Sequence, residues 1–409
     1  MPHKHATIIL ICIIIGVIAG VSTGWYWGEA MVQVAWIGKL FLNALKMLII
    51  PLIVSAVISG VSSLGDVRKL GRLGGVTVIY YLATTAISVF IGLVMVNLIQ
   101  PGAGLHISGA MEIPEGVSGK SDTGISDILL SMVSPNLISS AAETQLLPLI
   151  VFSILFAAAV TTLGDRGKPV IAFFNGVNDT MMTVVIWIMY FAPLGIFALI
   201  AGRLGKAGGG EAFFAEISAV GWHVVTVLSG LAIHVLVLFL ILYIISGRGA
   251  SYFIGVLRAL LTAFGTASSS ATLPLTMECV RENNVDERAV RFVLPLGSTV
   301  NMDGTALYEA AAVMFIAQAY GIDMSMGQQT IIFITATLAA IGAAGIPEAG
   351  LVTMVIVLQA VGLPLEGIGL LLAVDWFLDR FRTATNVWGD SVGAAVVERF
   401  LSAENKETG

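Results

Sequence analysis

Ionisable side chains are the scarcest feature of this sequence. Asp, Glu, Lys and Arg together make up 11% of its 409 residues, whereas hydrophobic residues make up 57% and the mean hydropathy is +0.94. A soluble globular domain has about a quarter of its residues charged, so that class is excluded. The net charge of -6 says little about partners, because the distribution of Lys and Arg matters more than their sum, and no nucleic acid is predicted as a partner. Most of the chain is predicted to lie in lipid.

Cysteine and histidine are also sparse. Cys12 lies in an apolar run and Cys279 lies far away beside a charged turn, which argues against a disulfide framework and against a thiolate metal site. The five histidines show no metal-ligand spacing and are interpreted as terminal, loop or helix-packing residues: His3, His5, His106, His223 and His234.

Long apolar runs dominate the first 250 residues. With their flanks, six of them approach or exceed the roughly 20 residues that a membrane-spanning helix needs. They are 6–18, 47–58, 76–98, 146–160, 182–200 and 224–245. No small-residue cleavage site follows the first run, which therefore predicts a retained helix and not a signal peptide.

The basic residues between these runs predict the orientation of the chain. With the amino terminus inside, the loops at 68–72 and 166–168 and the one holding Arg248 are cytoplasmic. The basic residues that fall outside are Lys120, Arg203 and Lys206. Because positive charge accumulates on the cytoplasmic side, this asymmetry predicts a multi-pass protein with cytoplasmic termini.

Two apolar segments after residue 250 are interrupted. Each arm within 251–282 and 328–363 covers about 20 Å, which is less than the ~30 Å of a hydrocarbon core. Helical hairpins with tips near 268–274 and 345–350 fit them better than spans do. Paired interrupted segments indicate a secondary-transporter binding site, because open helix ends present N–H groups to anions and carbonyls to cations. Ordinary loops between short buried helices are the alternative.

The last apolar segment carries a polar stripe. At 100° per residue, six polar side chains project within about 100° of arc, and Arg380 points elsewhere. They are Asp375, Asp379, Arg382, Thr383, Asn386 and Asp390. Each Asp or Arg near a helix centre costs about 2.5 to 3.5 kcal/mol in lipid, so the stripe is predicted to line a protein interior or an aqueous cavity. A salt-bridged structural core is the alternative, although it does not require the neutral Thr383 and Asn386.

The preceding apolar segment contains the run Asn301 to Thr305 (NMDGT). Gly304 weakens helical continuity and its polar neighbours compete for backbone hydrogen bonds, which predicts an unwound turn with free carbonyls. Such carbonyls suit a hard cation such as sodium. Glu309 has no basic partner within sequence reach, so the cost of burying its charge makes it a candidate proton carrier.

Four ordered motifs together resemble the dicarboxylate/amino acid:cation symporter family, that of the glutamate transporters. They are Ser268 to Pro274 (SSSATLP), Asn301 to Thr305, Ala344 to Pro347 (AGIP) and Asp379 to Asp390. The resemblance covers nearly the whole chain, which looks like a bacterial member close to the animal excitatory amino acid transporters.

The resemblance implies an all-α membrane protein with eight transmembrane helices and two re-entrant helical hairpins. It also implies a homotrimer in the inner (plasma) membrane, in which a transport domain slides like an elevator against a static scaffold. The scaffold would comprise helices 1–2 (1–70) and, with the exterior loop, helices 4–5 (101–205). The transport domain would comprise helix 3 (71–100), helix 6 (212–248), hairpin 1 (251–286), helix 7 (288–321), hairpin 2 (328–364) and helix 8 (367–402).

The implied substrates are L-glutamate and L-aspartate. Arg382 would clamp the side-chain carboxylate, since a guanidinium fork matches a carboxylate with two hydrogen bonds, and Asp379 would hold the ammonium group. The rest of the implied pocket is Ser268, Ser269, Ser270, Met302, Thr305, Ile346, Gly350, Thr383 and Asn386. A dicarboxylate would leave Asp379 unpaired and a neutral amino acid would leave Arg382 unpaired. Carriers of these two solutes are nevertheless the alternatives within the family.

The family also implies co-transported sodium at three sites. The first would use Gly297, Asn301, Asn386 and Asp390. The second would use Tyr81, Thr84, Thr85, Asn301 and Asp303. The third would use backbone carbonyls around Thr299, Met302, Ala340, Ile341 and Ala343.

Three positions imply further coupling ions. Archaeal members carry an arginine where this chain has Ala267 and a glutamine where it has Glu309. This chain instead supplies an arginine, Arg380, from the last helix, as the animal transporters do. The pattern here implies proton symport through Glu309 and potassium counter-transport. Glu348 departs from the neutral residue usual at that point of the second hairpin.

An intramembrane hydrolase using Ser269 with Asp303 is the alternative from another functional class. No His or Lys base lies near the serine run, which argues against it, and the chain is predicted not to be an enzyme.

Overall fold

The computed structural model describes residues 3–62, 71–105, 130, 132–143, 146–207, 211–342 and 349–407. Regular structure in these residues is entirely helical, which confirms the all-α prediction. Most of the predicted exterior loop, residues 106–129, lies outside them.

The α-helices are numbered in chain order. They are α1 (His3–Trp27), α2 (Ala35–Ser62), α3 (Gly71–Ile99), α4 (Leu137–Ala142), α5 (Leu146–Thr161), α6 (Lys168–Ala207), α7 (Glu211–Ile241), α8 (Ala250–Thr266), α9 (Ser269–Glu282), α10 (Glu287–Val300), α11 (Asp303–Ala319), α12 (Met326–Ala339), α13 (Ala349–Ala360) and α14 (Ile368–Glu407). Short 3-10 turns occupy Gly28–Val34, Gly164–Arg166, Ala340–Gly342 and Leu365–Gly367, and a π-turn occupies Leu242–Ser246.

Three stretches of the described chain are long and apolar enough to cross a membrane. They are Leu73–Ile99, Gly164–Ile188 and Ser218–Ser246. Only 6% of the most apolar part of the second stretch is buried within the chain, and Phe173 and Trp187 on it are 64% and 65% exposed. Apolar surface of this extent needs lipid or another protein as its neighbour. The structure thus supports a multi-pass membrane protein.

The helices pack in two groups. In the first, α6 packs along α1 and α2, and α5 packs against α2. In the second, α11 is central and contacts α3, α7, α13 and α14, while α8 and α10 pack against α14. The groups meet where α13 and the 3-10 turn Ala340–Gly342 contact α2, and where α14 contacts α6. The second group therefore contains both interrupted segments and the polar stripe.

Close helix approach at the centre of the second group depends on glycine. Every residue of α11 except Gln318 is buried, so this helix is enclosed on all its faces. A Cβ added at Gly92 of α3 would lie 2.7 Å from the carbonyl oxygen of Leu307, and one at Gly230 of α7 would lie 3.2 Å from its side chain. The missing side chains therefore let α3 and α7 reach α11, the helix that begins at Asp303.

The predicted seventh helix is two helices separated by Asn301 and Met302. These two residues have φ/ψ of -107°/78° and -104°/57°, which are not helical. An unwound turn is thus present, but the prediction that Gly304 causes it is wrong, because Gly304 lies in the first turn of α11. A Cβ there would lie 2.6 Å from the carbonyl oxygen of Arg382, so the glycine serves close packing against α14.

The first interrupted segment is a helical hairpin. Helices α8 and α9 pack together and are joined by Ala267, whose φ is +50°, and by Ser268, which caps α9 by accepting a hydrogen bond from the Ala271 N–H. The predicted turn included Pro274, but this residue lies inside α9 because the Ser268 cap starts the helix earlier. The 17 and 14 residues of the arms span about 26 and 21 Å, short of the ~30 Å hydrocarbon core.

The second interrupted segment also consists of two short helices, α12 and α13, which pack together. They have 14 and 12 residues, or about 21 and 18 Å. The residues that join them, 343–348, lie outside the described residues, and the predicted tip residues Ala343, Ile346 and Glu348 are among them. Insertion of either hairpin into a bilayer stays a prediction.

Ionised side chains surround the open end of the first hairpin. Arg258 of α8 contacts Glu282 of α9 at 2.7 Å, and Arg281 contacts Glu287 at 2.8 Å. Hydrogen bonds from Arg281 and Arg291 lower the pKa of Glu287 to about 2, so its carboxylate is charged at neutral pH. Because charges are costly in hydrocarbon, the open end of this hairpin lies in water.

The contact at Gly92 generates a stability prediction. We expect Gly92→Ala to lower the thermal unfolding midpoint of the detergent-solubilised protein, because overpacking against a backbone carbonyl typically costs about 1–3 kcal/mol. The matched control is Gly75→Ala on the same helix, where no atom lies within 4 Å of the added Cβ. The control should be neutral or gain up to about 1 kcal/mol from helix propensity. Equal midpoints for the two variants would contradict the close approach.

Candidate functional site

The candidate site lies where the break between α10 and α11 faces α14 and α3. All six residues of the predicted polar stripe on α14 are buried, which confirms that the stripe is sheltered by protein. The glycine-mediated approach of α3 to α11 brings the hydroxyls of α3 to the same place. Two adjacent parts of the site differ in chemistry. One is built from oxygen atoms and the other surrounds a guanidinium.

The first oxygen cluster surrounds Asp303, at the start of α11. Its Oδ1 accepts hydrogen bonds from the hydroxyls of Thr85 at 2.9 Å and Thr84 at 3.3 Å. The Thr84 hydroxyl also lies 3.3 Å from Oδ1 of Asn301. Tyr81, predicted for the same set, donates its hydroxyl to the carbonyl of Val293 at 2.6 Å. Carboxylate, amide and hydroxyl oxygens are the ligands that hard cations prefer, so this cluster suits sodium.

His234 of α7 is a member of this cluster that sequence reasoning missed. Its Nε2 lies 3.0 Å from Oδ2 of Asp303, and both side chains are fully buried. Its interpretation as a mere packing residue is therefore wrong, because the imidazole holds the carboxylate in place. A lone histidine in an apolar helix, 69 positions from its partner, gives no local pattern from which this contact could be found.

The second oxygen cluster surrounds Asp390 of α14. The Asn301 side-chain amide donates to its Oδ1 at 3.1 Å, so Asn301 takes part in both clusters. A Cβ at Gly297 would collide with the Asp390 carboxylate and lie 2.8 Å from the Tyr81 hydroxyl. Gly297 therefore lets the Asp390 carboxylate and the Tyr81 hydroxyl approach the backbone of α10 closely. Asn386, predicted for the same sodium site, makes its contacts elsewhere.

Asn386 joins α14 to the first turn of α11. Its Oδ1 accepts a hydrogen bond from the Gly304 N–H at 2.7 Å, and its amide nitrogen lies 3.4 Å from the Thr305 hydroxyl and 3.2 Å from the Met302 sulfur. Thr383, one turn earlier, donates a hydrogen bond from its hydroxyl to the carbonyl of Asp379 at 2.8 Å. The structure thus brings together Met302, Thr305 and Asn386 of the predicted substrate pocket.

The predicted third sodium site is only partly described. The 3-10 turn that contains Ala340 and Ile341 packs against α10 and α11, which end and begin at the unwound residues. The Thr299 hydroxyl donates to the carbonyl of Leu296 at 3.1 Å. Ala343 lies outside the described residues, and this site stays a prediction.

Arg382 is the centre of the second part of the site. Its guanidinium is fully buried and contacts Asp379 at 2.9 Å and Asp375 at 3.0 Å. The guanidinium carbon also lies 4.1 Å from the ring centre of Tyr308 on α11, a cation–π distance. Two of its nitrogens, Nε and Nη1, make no well-formed hydrogen bond. The guanidinium therefore keeps donor capacity for a further acceptor.

Sequence reasoning missed part of this arrangement. Asp375 was placed on the polar stripe but given no role, and it is the second partner of Arg382. Tyr308 was not singled out, because an aromatic residue in an alanine-rich apolar helix has no feature that separates stacking on a guanidinium from ordinary packing.

Both hairpins reach this region. A Cβ at Gly350, in the first turn of α13, would lie 2.8 Å from Nη1 of Arg382, so a side chain there would displace the guanidinium. Ser268 and Ser269 at the tip of the first hairpin are buried, whereas Ser270 is exposed. Arg380 of α14 donates to the carbonyls of Phe264 and Gly265, which ties that tip to the helix that carries the site.

Glu309 lies one turn beyond Thr305 on α11. Its side chain is fully buried, and neither carboxylate oxygen makes a well-formed hydrogen bond to another described residue. The Thr353 side chain of α13 is within reach of it. An ionised carboxylate in such surroundings is strongly disfavoured, which fits a group that carries a proton.

Comparison with known proteins gives a consistent answer. Residues 9–400 match the model of the sodium:dicarboxylate symporter family. Excitatory amino acid transporter 1 of Ambystoma tigrinum is 41% identical over 91% of this chain and 78% of its own length, and excitatory amino acid transporter 3 of Mus musculus is 40% identical over 90% and 79%. A putative sodium-dependent excitatory amino acid transporter of Caenorhabditis elegans, glt-4, is 37% identical over 98% of this chain and 91% of its own length.

These matches cover nearly all of the chain and include every element of the site. They confirm the predicted resemblance and the prediction of a transporter, and they contradict the intramembrane hydrolase considered as the alternative. The chain belongs to the sodium:dicarboxylate symporter family.

Proposed function

We propose that this protein is a sodium-coupled secondary active symporter that imports the acidic amino acids L-glutamate and L-aspartate across the cell's inner (plasma) membrane. The observation that carries the proposal is the fully buried guanidinium of Arg382, held between Asp375 and Asp379 and stacked on Tyr308. Oxygen clusters suited to cations adjoin it. Family membership and the transporter names of the relatives support the same conclusion.

The charges around Arg382 favour a solute with one ammonium and two carboxylate groups. One guanidinium and two aspartates leave one excess negative charge. When an acidic amino acid enters, its ammonium group takes over as the partner of Asp379, and its side-chain carboxylate takes the donors that Asp379 releases on Arg382. Arg382, Asp379 and the ammonium group then each have a partner of opposite sign, while the α-carboxylate of the solute adds to the excess negative charge.

The same pairing of charges disfavours a dicarboxylate and a neutral amino acid as substrates. A dicarboxylate has no ammonium group, so Asp379 would lose its partner as the carboxylate displaced it. A neutral amino acid has no second carboxylate, so it gains nothing from the guanidinium. Because an unpaired buried charge is strongly destabilising, both solutes should bind more weakly.

Sodium supplies the charge that the solute lacks. The substrate carries a net negative charge into a site where Asp303 and Asp390 add two further carboxylates. Asn301 contacts both oxygen clusters, and the residues that follow it, Met302 and Thr305, contact Asn386 beside the substrate. Cations bound at Asp303 and Asp390 would therefore order the backbone break that forms the substrate pocket. Coupling follows because neither ligand is stable in the site alone.

Proton and potassium coupling are proposed from Glu309 and Arg380. Glu309 is buried one turn from Thr305, so its charge is tolerated only when a cation or a proton compensates it. We propose that it carries a proton inward with the substrate. Potassium would then return in place of the substrate and neutralise the excess negative charge around Arg382.

An elevator movement of a transport domain within a homotrimer is proposed from the two packing groups. The group with α3 and α7–α14 holds all the site residues that the structure describes, and α1, α2, α5 and α6 form the other group. Little of the apolar α6 segment is buried within one chain, which supports a role for this group in subunit or lipid contacts. The basic loops support cytoplasmic termini.

The proposed function is tested by uptake of radiolabelled L-aspartate into proteoliposomes, with sodium, proton and potassium gradients imposed one at a time. We expect uptake to require an inward sodium gradient and to be inhibited by L-glutamate but not by succinate or L-alanine. An outward potassium gradient and an acidic exterior should each increase the rate. Uptake that does not need sodium, or competition by succinate as strong as that by glutamate, would overturn the proposal.

Removal of the guanidinium should change substrate choice. In Arg382→Cys we expect loss of glutamate and aspartate uptake, since hydrogen bonds to a charged group contribute about 1.5–3 kcal/mol and about 3 kcal/mol corresponds to roughly 150-fold in affinity. Serine or alanine uptake should appear in its place. Arg399→Cys, at an exposed position of the same helix, is the matched control and should transport normally. Unchanged glutamate affinity in Arg382→Cys would refute the clamp.

The proton role predicts a separation of net uptake from exchange. Glu309→Gln cannot release a proton, so we expect net uptake driven by ion gradients to lose its pH dependence and fall strongly. Exchange of internal for external aspartate, which needs no proton release, should continue. Both rates are measured in proteoliposomes between pH 6 and pH 8. An unaltered pH response of net uptake would rule out Glu309 as the carrier.

A further inference from the structure

The guanidinium of Arg248 joins the two ends of the first hairpin. Arg248 lies at the entrance of the hairpin, two residues before α8, and the exit turn after α9 contains Asn283 and Asn284. Nη1 of Arg248 donates to the carbonyl of Asn283, and Nη2 donates to that of Asn284 at 3.0 Å. A single side chain thus holds both ends of the hairpin together.

The same guanidinium is anchored to the last helix. Nη2 of Arg248 contacts Oε2 of Glu398 on α14 at 2.8 Å. The other oxygen of Glu398 accepts a hydrogen bond from the Asp286 N–H, just before α10, at 2.8 Å. The contact between Arg248 and Glu398 is mostly buried, with side chains 24% and 18% exposed. Four segments therefore converge on one ion pair, which we name the base clamp.

The backbone around the base clamp is built for close contact. Asn284 has a φ of +58°, which turns the chain sharply toward Arg248. A Cβ at Gly255 of α8 would overlap the Asn283 side chain, so the exit turn packs directly on the first arm. Tyr252 lies under the guanidinium, with 5.5 Å between its ring centre and Cζ, and its hydroxyl donates to the carbonyl of Ser391 at 2.6 Å.

We propose that Arg248 and Glu398 are positioning residues for transport: the base clamp fixes the hairpin angle and so holds the serine tip, Ser268–Ser270, in the substrate pocket. The tip lies about 20 Å from the clamp along the 14 residues of α9. A rotation of only about 10° at the base would move the tip by about 3–4 Å, which exceeds the length of a hydrogen bond. The proposal rests on the proposed function, because the tip matters only if it contacts the substrate.

Apolar packing alone does not fix this angle. The arms pack on α10 and α14 through the apolar side chains of Val256, Ala263 and Val280, among others. Such contacts are non-directional, so they tolerate sliding and rotation. The hydrogen bonds of a guanidinium have defined directions and therefore select one orientation of the arms.

The test measures the accessibility of the hairpin tip in an assay that does not depend on transport. Thr272 is fully buried one turn after Ser268, so the thiol of Thr272→Cys, in a Cys12→Ser/Cys279→Ser background, should react slowly with a water-soluble maleimide. Adding Arg248→Gln should raise this reaction rate in saturating sodium by about tenfold. In the transporter without the probe cysteine, Arg248→Gln should raise the aspartate KM by about tenfold, equivalent to 1.4 kcal/mol.

The matched control is Arg258→Gln. Arg258 also joins the two arms of this hairpin, but its ion pairs with Glu278 and Glu282 are exposed. Exposed pairs contribute little, so labelling rate and KM should change by less than about twofold. Equal effects of Arg248→Gln and Arg258→Gln, or no effect of either, would overturn the proposal.

A second variant keeps the proposal testable if Arg248→Gln does not fold. Glu398→Gln keeps the side-chain size and leaves the two carbonyl contacts of Arg248. We therefore expect the labelling rate and the aspartate KM to rise, but by less than in Arg248→Gln. Monodisperse Glu398→Gln protein with wild-type labelling and wild-type KM would refute the base clamp. If the wild-type protein transports no aspartate, the proposed function fails, but the labelling rates still decide whether the clamp positions the tip.

Discussion

Arg382 is the one fully buried arginine in the described part of the chain, and the electrostatics of its burial govern the rest of the site. Removing an ion from water costs several kcal/mol, which a protein recovers only by supplying partners in good geometry. Asp375 and Asp379 supply opposite charge, and the guanidinium stacks on the face of the Tyr308 ring. Glycines at 304 and 350 leave the space that this arrangement needs, because a side chain at either position would overlap Arg382.

Under the proposed function, cation binding and substrate binding share one piece of backbone. Asn301 and Met302 leave the helical conformation, and the side chain of Asn301 contacts both oxygen clusters. The turn that follows presents the Gly304 N–H to Asn386, on the substrate side. An ion that draws Asn301 toward Asp303 or Asp390 would therefore act on the wall of the proposed pocket within three residues. Such short, direct linkage would be the physical basis of the proposed coupling, without any long-range pathway.

The sequence predicted the parts of this structure that follow from local periodicity and from the cost of burial. The stripe on α14, the two short hairpins and an unwound turn before Asp303 could all be inferred in this way. The predicted position of the break was wrong because the low helix propensity of glycine was applied to Gly304. In the structure Gly304 is helical, and its missing side chain makes room for the backbone of Arg382. His234, Tyr308 and Arg248 could not be assigned, since their partners lie far away in sequence and nothing nearby marks them.

Helix α14 links the substrate site to both ends of the first hairpin. The arms of a short hairpin leave carbonyls at their carboxyl ends without helical partners. Arg380 satisfies such carbonyls at the end of α8, and Arg248, held by Glu398, satisfies them at the end of α9. Arg380 and Glu398 lie about 27 Å apart on one continuous helix, with Arg382 between them. A displacement of α14 would therefore carry the guanidinium, the hairpin tip and the hairpin base together, as the proposed elevator movement requires.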